Sequence, residues 1–380
     1  MTKAAELAKM GEVLTNSQIG GRRNIVINGA MNVAQRATSE TGLGNSAGFK
    51  TVDRFKVNAD TSAATAGRYT MSQVADVHDG FANALKFECT TADTSIAAGE
   101  LFSLEYLFEG QDLQQLKKGT SDAEKVTVSF YVKGNASATY MLELKDTDNS
   151  RVIHSQFAVT TSWNRITITF NGDTTGALDD DNAKSLEFRI WLHAGSNYTS
   201  GTYTANTWAS QTQANRAVGI SSFFDSTDRT FFITGVQIEV GSQATPFEHR
   251  SFGEELSLCQ RYCVAPSITA FEDSIVITGM TRGSTNKFFT MPLPGTMRSG
   301  TPSVTITGDV RLLNPEAHDK NDGANTFTIG GVTPTFRYNG NMLGIYYNGA
   351  VTSVTDTSNA DYNLQIVGDS DHIFIIDSEL

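Results

Sequence analysis

The dominant pattern of this 380-residue chain is alternation of apolar and polar residues with a period of two. It is clearest in "VTVSFYV", where the even positions of 126–132 are apolar and the odd positions carry Thr, Ser and Tyr131. The same alternation occurs in "LKFEC" at 85–89, "ITITF" at 166–170 and "EFRIWL" at 187–192. Successive side chains of a strand point to opposite faces, so each segment is predicted to be a strand.

Turn-forming Gly, Asn, Asp and Ser residues separate these segments, with no helical pattern between them. Strands joined by short polar turns form antiparallel sheets. The sequence therefore predicts an all-β fold in which residues 24–250 form a jelly-roll-like antiparallel β-sandwich. Its first element is predicted to be a short strand in "NIVIN", ended by a turn at Asn28 and Gly29, and its last strand lies in "FFITGVQIEV" at 231–240.

The sandwich is predicted to end in a connecting helix over 251–265. Pro246 prevents the last strand from continuing, and Ser251 stands three residues before Glu254, the spacing of a capping box. Renewed alternation between "DSIVITG" and "HIFIID" then predicts a smaller C-terminal β domain over 266–380.

The first 23 residues differ from the rest because "MTKAAELAKMGEVL" is rich in helix-forming residues. Its apolar residues Ala4, Leu7, Ala8 and Leu14 would form a thin stripe, which cannot bury itself and needs a partner surface. Residues 1–23 are therefore either a docking or oligomerisation peptide or a frayed terminus. The segment has no continuous apolar core of a signal peptide, which favours synthesis and assembly in a cytoplasm.

Composition and charge narrow the classes of partner. A formal net charge of −12 argues against nucleic-acid binding, which needs concentrated Lys and Arg. No apolar run is long enough to predict membrane insertion. The three cysteines, Cys89, Cys259 and Cys263, form no disulfide framework and are expected to be buried and reduced. Cys259 and Cys263 share a helix face in the predicted helix, but no matching ligand pair follows, so neither a metal nor a cofactor is expected.

No arrangement for catalysis is evident. The chain lacks a G-x-S-x-G elbow and a Gly-rich phosphate loop. Its acidic clusters, Asp146 with Asp148 and the run 179–181, fall in turn-like stretches and are predicted to be solvated. Two alternatives remain open for them, a calcium ion bracing the edge of the sandwich and a carboxylate pair for glycoside hydrolysis. The expectation is that the protein is not an enzyme.

Aromatic residues on polar faces give the candidate binding site. Trp191 shares a strand face with Glu187 and Arg189, and Tyr131 shares one with Thr and Ser. Flat rings beside polar groups suit the C–H faces and hydroxyls of sugars. Oligomer contacts or overlying loops would explain the same pattern. The candidate glycan-binding residues are Trp191, Tyr131, Tyr198, Tyr203 and Trp208.

Several longer motifs resemble a known family. They are "RRNIVINGAMNVAQR", "TVDRF", "TGVQIEVGSQATPFEHRSFGEELSLCQRYC", "PLPGTMRSGTPSVTITG" and the ending "DSEL". Together these resemble tail-fibre and related fibre-like virion structural proteins of marine and cyanobacterial tailed bacteriophages. The resemblance extends over nearly the whole chain, and the third motif, the junction after the sandwich, is its most specific part.

The resemblance implies a β-rich virion protein, a homotrimer, with a sandwich similar to a carbohydrate-binding module. It implies assembly in the host cytoplasm and contacts with other virion proteins, for which Leu7, Met10 and Leu14 are the docking candidates. Three functions follow as alternatives: a tail-associated fibre that attaches to host-surface glycan, a structural capsid fibre or decoration protein, and a surface-polysaccharide depolymerase. The first is the expectation.

Overall fold

A computed structural model describes most of the chain, and the described residues fall into two compact units. The first unit contains Thr38–Glu255 and the described residues before Gln35; the second contains Gln35–Ala37 and Leu256–Glu379. Leu7, Met10 and Leu14, the predicted docking residues, lie outside the described residues. The described residues are 3–4, 22–60, 67–266, 274–282, 286–306, 309–313, 326–328, 335–339, 341–348, 361–367 and 374–380.

The first unit is built of antiparallel strands. In chain order its strands are β1 Ser39–Leu43, β2 Ser46–Phe49, β3 Phe55–Asp60, β4 Arg68–Val74, β5 Ala84–Thr91, β6 Leu101–Glu109, β7 Val126–Gly134, β8 Ala138–Asp146, β9 Arg151–Val159, β10 Asn164–Phe170, β11 Lys184–Ala194, β12 Ala209–Ser210 and β13 Thr230–Val240. A short helix, α1, spans Ser196–Thr199, and single 3-10 turns lie at Gly110–Asp112, Gln114–Leu116, Gln213–Asn215 and Phe223–Asp225.

These strands form two sheets. The first sheet has the order β1-β4-β5-β13-β7-β10, and the second has the order β12-β9-β8-β11-β6-β3-β2. Neighbouring strands in a sheet can be distant in the sequence. Strands β5 and β13, for example, pair antiparallel. The predicted jelly-roll-like antiparallel sandwich is confirmed.

The core lies between the two sheets and is rich in aromatic rings. Phe102 of β6 lies 4.3 Å from Tyr69 of β4 and 5.1 Å from Phe87 of β5, measured between ring centroids. Further along, Phe130 of β7 faces Phe188 of β11 at 6.3 Å. Phe87, Phe130 and Phe188 occupy apolar positions of the predicted alternating segments, so the period-two pattern identified those inner faces correctly.

The segment before β1 departs from the sequence prediction. No strand forms in "NIVIN"; the backbone is irregular and is held by a backbone hydrogen bond, from the N–H of Ile25 to the carbonyl of Ile238 at 3.1 Å, and by side chains. The amide of Asn24 donates to the carbonyl of Val236 at 3.1 Å, and its Oδ1 accepts from the backbone N–H of Ile238 at 3.1 Å. The predicted turn is confirmed: Asn28 adopts the left-handed conformation, with φ of 62°, which Asn tolerates better than most residues.

The connecting helix is shorter than predicted. Helix α2 spans Phe252–Cys259 rather than 251–265. It begins as expected, because the N–H of Glu254 donates to Ser251 Oγ at 3.3 Å. It ends early because Cys263 and the residue after it join a sheet, where Cys263 pairs with Asp377. Cys259 and Cys263 therefore do not share a helix face, although all three cysteines are buried and free as predicted.

The second unit contains the remaining described strands. They are β14 Cys263–Val264, β15 Ser274–Arg282, β16 Asn286–Pro292, β17 Ser303–Ile306, β18 Asp309–Leu313, β19 Thr326–Thr328, β20 Thr335–Asn339, β21 Met342–Asn348, β22 Asp361–Val367 and β23 Phe374–Asp377. One sheet has the order β14-β23-β17, and the other has the order β19-β18-β22-β15-β16-β21-β20. Among the described residues, no helix has the length and hydropathy of a membrane span.

Candidate functional site

The structure places the five predicted glycan-binding residues in three different regions of the sandwich. Trp191 and Tyr198 lie together beside Tyr203 on the second sheet. Tyr131 lies on the first sheet, and Trp208 lies in the chain before β12. The five residues therefore do not form one surface, and each region has to be judged separately.

Trp191 is a buried residue, which contradicts the prediction that it is offered to a ligand. Its side chain has 0% exposure and packs with Leu101 and Met141. The ring of Tyr198, in α1, covers it at a centroid distance of 5.2 Å. The physical reason is an overlying segment: the chain after β11 folds back over the polar face of the second sheet, which was the alternative explanation for the pattern.

Tyr203 belongs to the same cover. Its ring stacks on the imidazole of His154 at 5.7 Å, and its hydroxyl accepts the backbone N–H of Gln156 at 3.0 Å. Both contacts are with β9 of the second sheet. Tyr203 therefore holds the overlying segment in place and, like Tyr198, is only partly exposed.

Charged residues surround Trp191 beneath this cover. The guanidinium of Arg189 pairs with Glu105 at 2.6 Å, and that of Arg216 donates to Glu143 through Nε at 3.0 Å. Both guanidinium carbons lie 4.9 Å from the centre of the Trp191 ring. Burial alone lowers the pKa of Arg189, but the neighbouring carboxylates outweigh burial and raise it. These charges pair with one another and are buried, so this face is not offered to a ligand.

Trp208 occupies the third region, beside a buried ion cluster. Its indole N–H donates to the carbonyl of Asn171 at 2.8 Å, and Lys118 Nζ lies 5.3 Å from its ring. The same Nζ pairs with Asp146 at 2.5 Å and with Asp173 at 3.1 Å. Asp146 is fully buried, so the prediction that it is a solvated turn acid is wrong. Lys118 is distant from Asp146 in the sequence, and its paired ammonium group permits the burial of the Asp146 carboxylate.

Tyr131 is different because it lies on a partly exposed face. Strand β7 pairs with β10 and β13 so that Tyr131 stands opposite Arg165 and Thr234. The ring of His78 lies 4.2 Å from that of Tyr131, and the ring of Phe81 lies 5.4 Å away. Both come from the connection between β4 and β5. All three rings are partly exposed.

A glycine in β13 makes room for these rings. Gly235 has φ of 62°, and the β13–β7 register shifts between Thr234 and Gln237. A Cβ atom at Gly235 would stand 2.7 Å from Phe81 and 2.9 Å from Tyr131, closer than such atoms normally approach. The bulge therefore lets two aromatic rings lie directly on the strand.

The junction after β13 completes the aromatic group. Phe247 lies 5.1 Å from the ring of Phe81, and His249 lies 5.3 Å from it. We call Tyr131, His78, Phe81, Phe247 and His249 the aromatic surface. The most specific motif of the sequence thus supplies two of its five rings and the glycine beneath it.

Polar side chains fix the junction in this position. Glu239 accepts the backbone N–H of Thr245 at 2.8 Å and its hydroxyl at 2.7 Å. The backbone N–H of Glu248 donates to Gln237 Oε1 at 2.9 Å. Glu239 and Gln237 lie on the predicted polar face of β13 and are buried under the junction. The aromatic surface is therefore built on fixed backbone.

The aromatic surface also carries a cation and hydrogen-bonding groups. The guanidinium of Arg165 lies 5.9 Å from the ring centre of Tyr131 and donates to Ser129 Oγ at 3.1 Å. Arg165 and His249 are exposed. Flat rings with donors at their edges are the arrangement that stacks on a sugar ring and bonds its hydroxyls.

Sequence reasoning found Tyr131 but not the other four rings. His78 and Phe81 lie in a connection without alternation, and Phe247 and His249 lie in the turn after the last strand of the sandwich. Gly235 was the available signal: a glycine within an otherwise apolar and β-branched strand indicates a bulge or the close approach of another group.

Comparisons with known proteins leave the family open, because no family model and no curated protein matches this chain. Solved structures with partial likeness include a structure described as "CBM4 structure and function", with 11% identity and a TM-score of 0.30, covering 56% of this chain and 97% of that one.

Another solved structure with partial likeness is the module TmCBM61 in complex with beta-1,4-galactotriose, with 12% identity and a TM-score of 0.29, covering 58% of this chain and 99% of that one. The enzymatically active domain of tailspike protein 4 of bacteriophage CBA120 has 11% identity and a TM-score of 0.30; the match covers 57% of this chain and 21% of that one. Likeness at these TM-scores carries no argument about function.

Proposed function

We propose that this chain is a virion fibre protein of a tailed bacteriophage that attaches to a host-surface glycan through the aromatic surface. The observation that carries the binding part is the cluster of partly exposed rings around Tyr131, fixed over the Gly235 bulge. The virion part rests on the resemblance of the sequence motifs, the junction above all.

The aromatic surface fits a glycan better than a charged polymer. Stacking on Tyr131 and His78 would bury the C–H face of a sugar, while Arg165 and His249 offer donors to its hydroxyls. The chain carries a net charge of −12, which disfavours long polyanions at a distance. A neutral or weakly charged surface polysaccharide is therefore the proposed ligand.

We propose that the protein acts without catalysis. The two acids considered as a catalytic pair make different contacts. Asp146 is buried against Lys118, whereas Asp148 Oδ2 accepts the backbone N–H of Asp179 at 3.0 Å. Retaining and inverting glycosidases need two carboxyl groups facing one another across an accessible sugar site. A homotrimer in the virion, assembled in the host cytoplasm and held by other virion proteins, completes the proposal.

The experiment is a screen of the purified chain against immobilised bacterial surface polysaccharides, followed by titration of the best ligand. Tyr131→Ala should weaken binding about fivefold, because one stacked ring contributes roughly 1 kcal/mol. Trp208→Ala is the matched control and should bind as the unmodified chain does, since Trp208 lies outside the aromatic surface.

Two results would count against glycan binding at this surface. One is the absence of binding to every polysaccharide in the panel. The other is an equal loss in the Tyr131 and Trp208 variants, which would place the ligand elsewhere or indicate a general loss of structure. Incubation with the bound polysaccharide should leave its chain length unchanged; shortening would indicate a depolymerase.

A further inference from the structure

Three ionisable side chains from distant parts of the chain meet inside the first unit. Asp93 follows β5, Glu100 immediately precedes β6, and His193 lies near the end of β11. One carboxylate oxygen of each acid and one imidazole nitrogen all lie within 4.8 Å of one another. The three residues are buried, with exposures of 6%, 2% and 0%.

This group contains two acidic side chains and one imidazole. Among the described residues, no Lys or Arg pairs with Asp93 or Glu100; the nearest candidate is His193, whose Nε2 lies 3.7 Å from Glu100 Oε2. Two buried carboxyl groups without a basic partner are costly to ionise unless a cation joins them or a proton is shared between them.

Two atoms of the group are left without hydrogen bonds. Asp93 Oδ2 and His193 Nε2 are buried and have no partner. Buried polar atoms in folded proteins are normally bonded, so each such atom needs an explanation. Both atoms belong to residues whose potential ligand atoms lie within 4.8 Å of one another, and His193 Nε2 lies 3.7 Å from Glu100 Oε2, so a bound cation would give these atoms a partner.

The surrounding hydrogen bonds hold the ligand atoms in place. The backbone N–H of Ser95 donates to Asp93 Oδ1 at 2.9 Å, and that of Ala97 donates to Glu100 Oε2 at 3.0 Å. On the other side, His193 Nδ1 lies 2.8 Å from Ser222 Oγ. When Nδ1–H donates to that hydroxyl, Nε2 carries the lone pair and faces the carboxylates, as in most histidine metal ligands.

We propose that Asp93, Glu100 and His193 bind one divalent transition-metal ion of the Zn²⁺ class. One imidazole nitrogen with two carboxylate oxygens suits zinc, whereas calcium takes six to eight oxygen ligands and rarely an imidazole. Three protein ligands leave a position for water. The exposed residues 94–99 between the two acids give an ion a short path to the site.

The bound ion ties the connection between β5 and β6 to β11 and so stabilises this end of the sandwich. The competing explanation is a proton shared between Asp93 and Glu100, because one carboxyl oxygen of each lies within 4.8 Å of the other. A shared proton satisfies the carboxylates but leaves His193 Nε2 without a partner. The two explanations differ in whether the folded chain retains a metal.

The test is a measurement of the metal content of the full chain. The protein is first stripped with a chelator, then incubated with Zn²⁺ or Ca²⁺ and separated from the free ion. We expect one zinc ion per chain and no calcium. Asp93→Asn and His193→Gln should each weaken zinc binding at least about 100-fold, and Ser222→Ala should weaken it roughly 10–100-fold as an outer partner. Far-UV circular dichroism checks that each variant is folded.

His154→Gln is the matched control, because His154 is also buried with both ring nitrogens unpartnered but lies outside the acidic group. It should keep one zinc ion per chain. Folded protein without zinc, calcium in place of zinc, or full zinc content in Asp93→Asn would overturn the proposal. If the variants do not fold, Co²⁺ bound to the unmodified chain decides: visible bands of nitrogen and oxygen coordination support the site, and the spectrum of aqueous Co²⁺ overturns it.

Discussion

At the scale of single residues, the neighbours Lys117 and Lys118 have opposite roles. Lys118 places a buried ammonium group between Asp146 and Asp173, and it also donates to the carbonyl of Thr175 at 2.9 Å. Lys117 pairs with Glu124 at 2.8 Å, where both side chains are exposed. Their positions in the sequence do not reveal the difference.

Replacing Lys118 should therefore be far more costly than replacing Lys117. Lys118→Gln leaves Asp146 without its cation, and removal of one partner of a buried pair costs about 3–5 kcal/mol. Lys117→Gln removes an exposed pair worth less than about 1 kcal/mol. Urea unfolding of the two variants measures the difference. Equal losses in the free energy of unfolding would contradict the assignment of Lys118 to a buried ion cluster.

The same cluster predicts how stability depends on pH. Burial works to raise the pKa of Asp173, but the bonds from Arg151 and Lys118 outweigh it and lower that pKa below its usual value of 3.8. A carboxyl group with a lowered folded-state pKa stabilises the fold above its unfolded pKa and loses that contribution as pH falls through the folded value.

We therefore expect the contribution of Asp173 to be constant above about pH 4 and to disappear under more acid conditions. Urea unfolding of the unmodified chain and of Asp173→Asn over an acid pH series measures it. The gap between the two should narrow as pH falls; a gap that widens toward acid pH would contradict the assigned direction of the pKa shift.

At the scale of elements, alternation predicted the strands because one face of each is buried in the core. Strands β5, β7, β10, β11 and β13 lie where the period-two pattern places them. The pattern could not predict the other face of the strands, since it does not reveal what folds over them. Trp191 is covered by the chain after β11, and Gln237 is covered by the junction.

Sites made from distant segments could also not be predicted from the sequence. Asp93, Glu100 and His193 have no characteristic spacing, because the sheet pairing rather than a local motif brings them together. Tyr131 could be found because it interrupts a row of small polar residues on its strand. Its companions could not, since His78 and Phe81 reach it from a connection.

The β13 bulge gives a prediction for the aromatic surface as a unit. Gly235→Ala adds a Cβ that meets Phe81 and Tyr131, so the rings must move and polysaccharide binding should fall. Gly42→Ala is the control, because Gly42 has a similar φ of 72° but a Cβ atom added there would have no neighbouring atom within 4 Å. Both substitutions carry the strain of a positive φ, about 1–2 kcal/mol.

Thermal unfolding and polysaccharide titration separate the two effects. Both variants should lose stability through backbone strain, but only Gly235→Ala should lose binding. Retained binding in Gly235→Ala would mean that the positions of Phe81 and Tyr131 do not matter for recognition, and the aromatic surface would no longer be the site.

At the scale of the whole molecule, the motifs that carry the family resemblance bond to one another within each unit. In the first unit, the N–H of Asn24 donates to Glu248 at 2.7 Å, and that of Asn28 donates to Glu255 at 2.6 Å. In the second unit, Arg36 pairs with Asp377 at 2.8 Å. Polar residues of the junction motif therefore hold the segment before β1 in place within the first unit.

A fibre protein of the proposed kind should be a homotrimer. Light scattering coupled to size-exclusion chromatography should give three times the chain mass of 41.1 kDa. The mass should stay constant on dilution across the working range, since fibre trimers must persist outside the host. A mass equal to one chain, with the strands still formed by circular dichroism, would contradict the trimer.

We propose that the protein is a tail-associated virion fibre that contacts the host. The most direct test of this proposal is to view gold-labelled antibody against the purified chain on intact virions by electron microscopy. We predict label at the tail, and the same antibody should reduce adsorption of the virions to host cells. Label over the head would contradict the claim in favour of a capsid fibre, and the absence of label from every particle would contradict a virion role altogether.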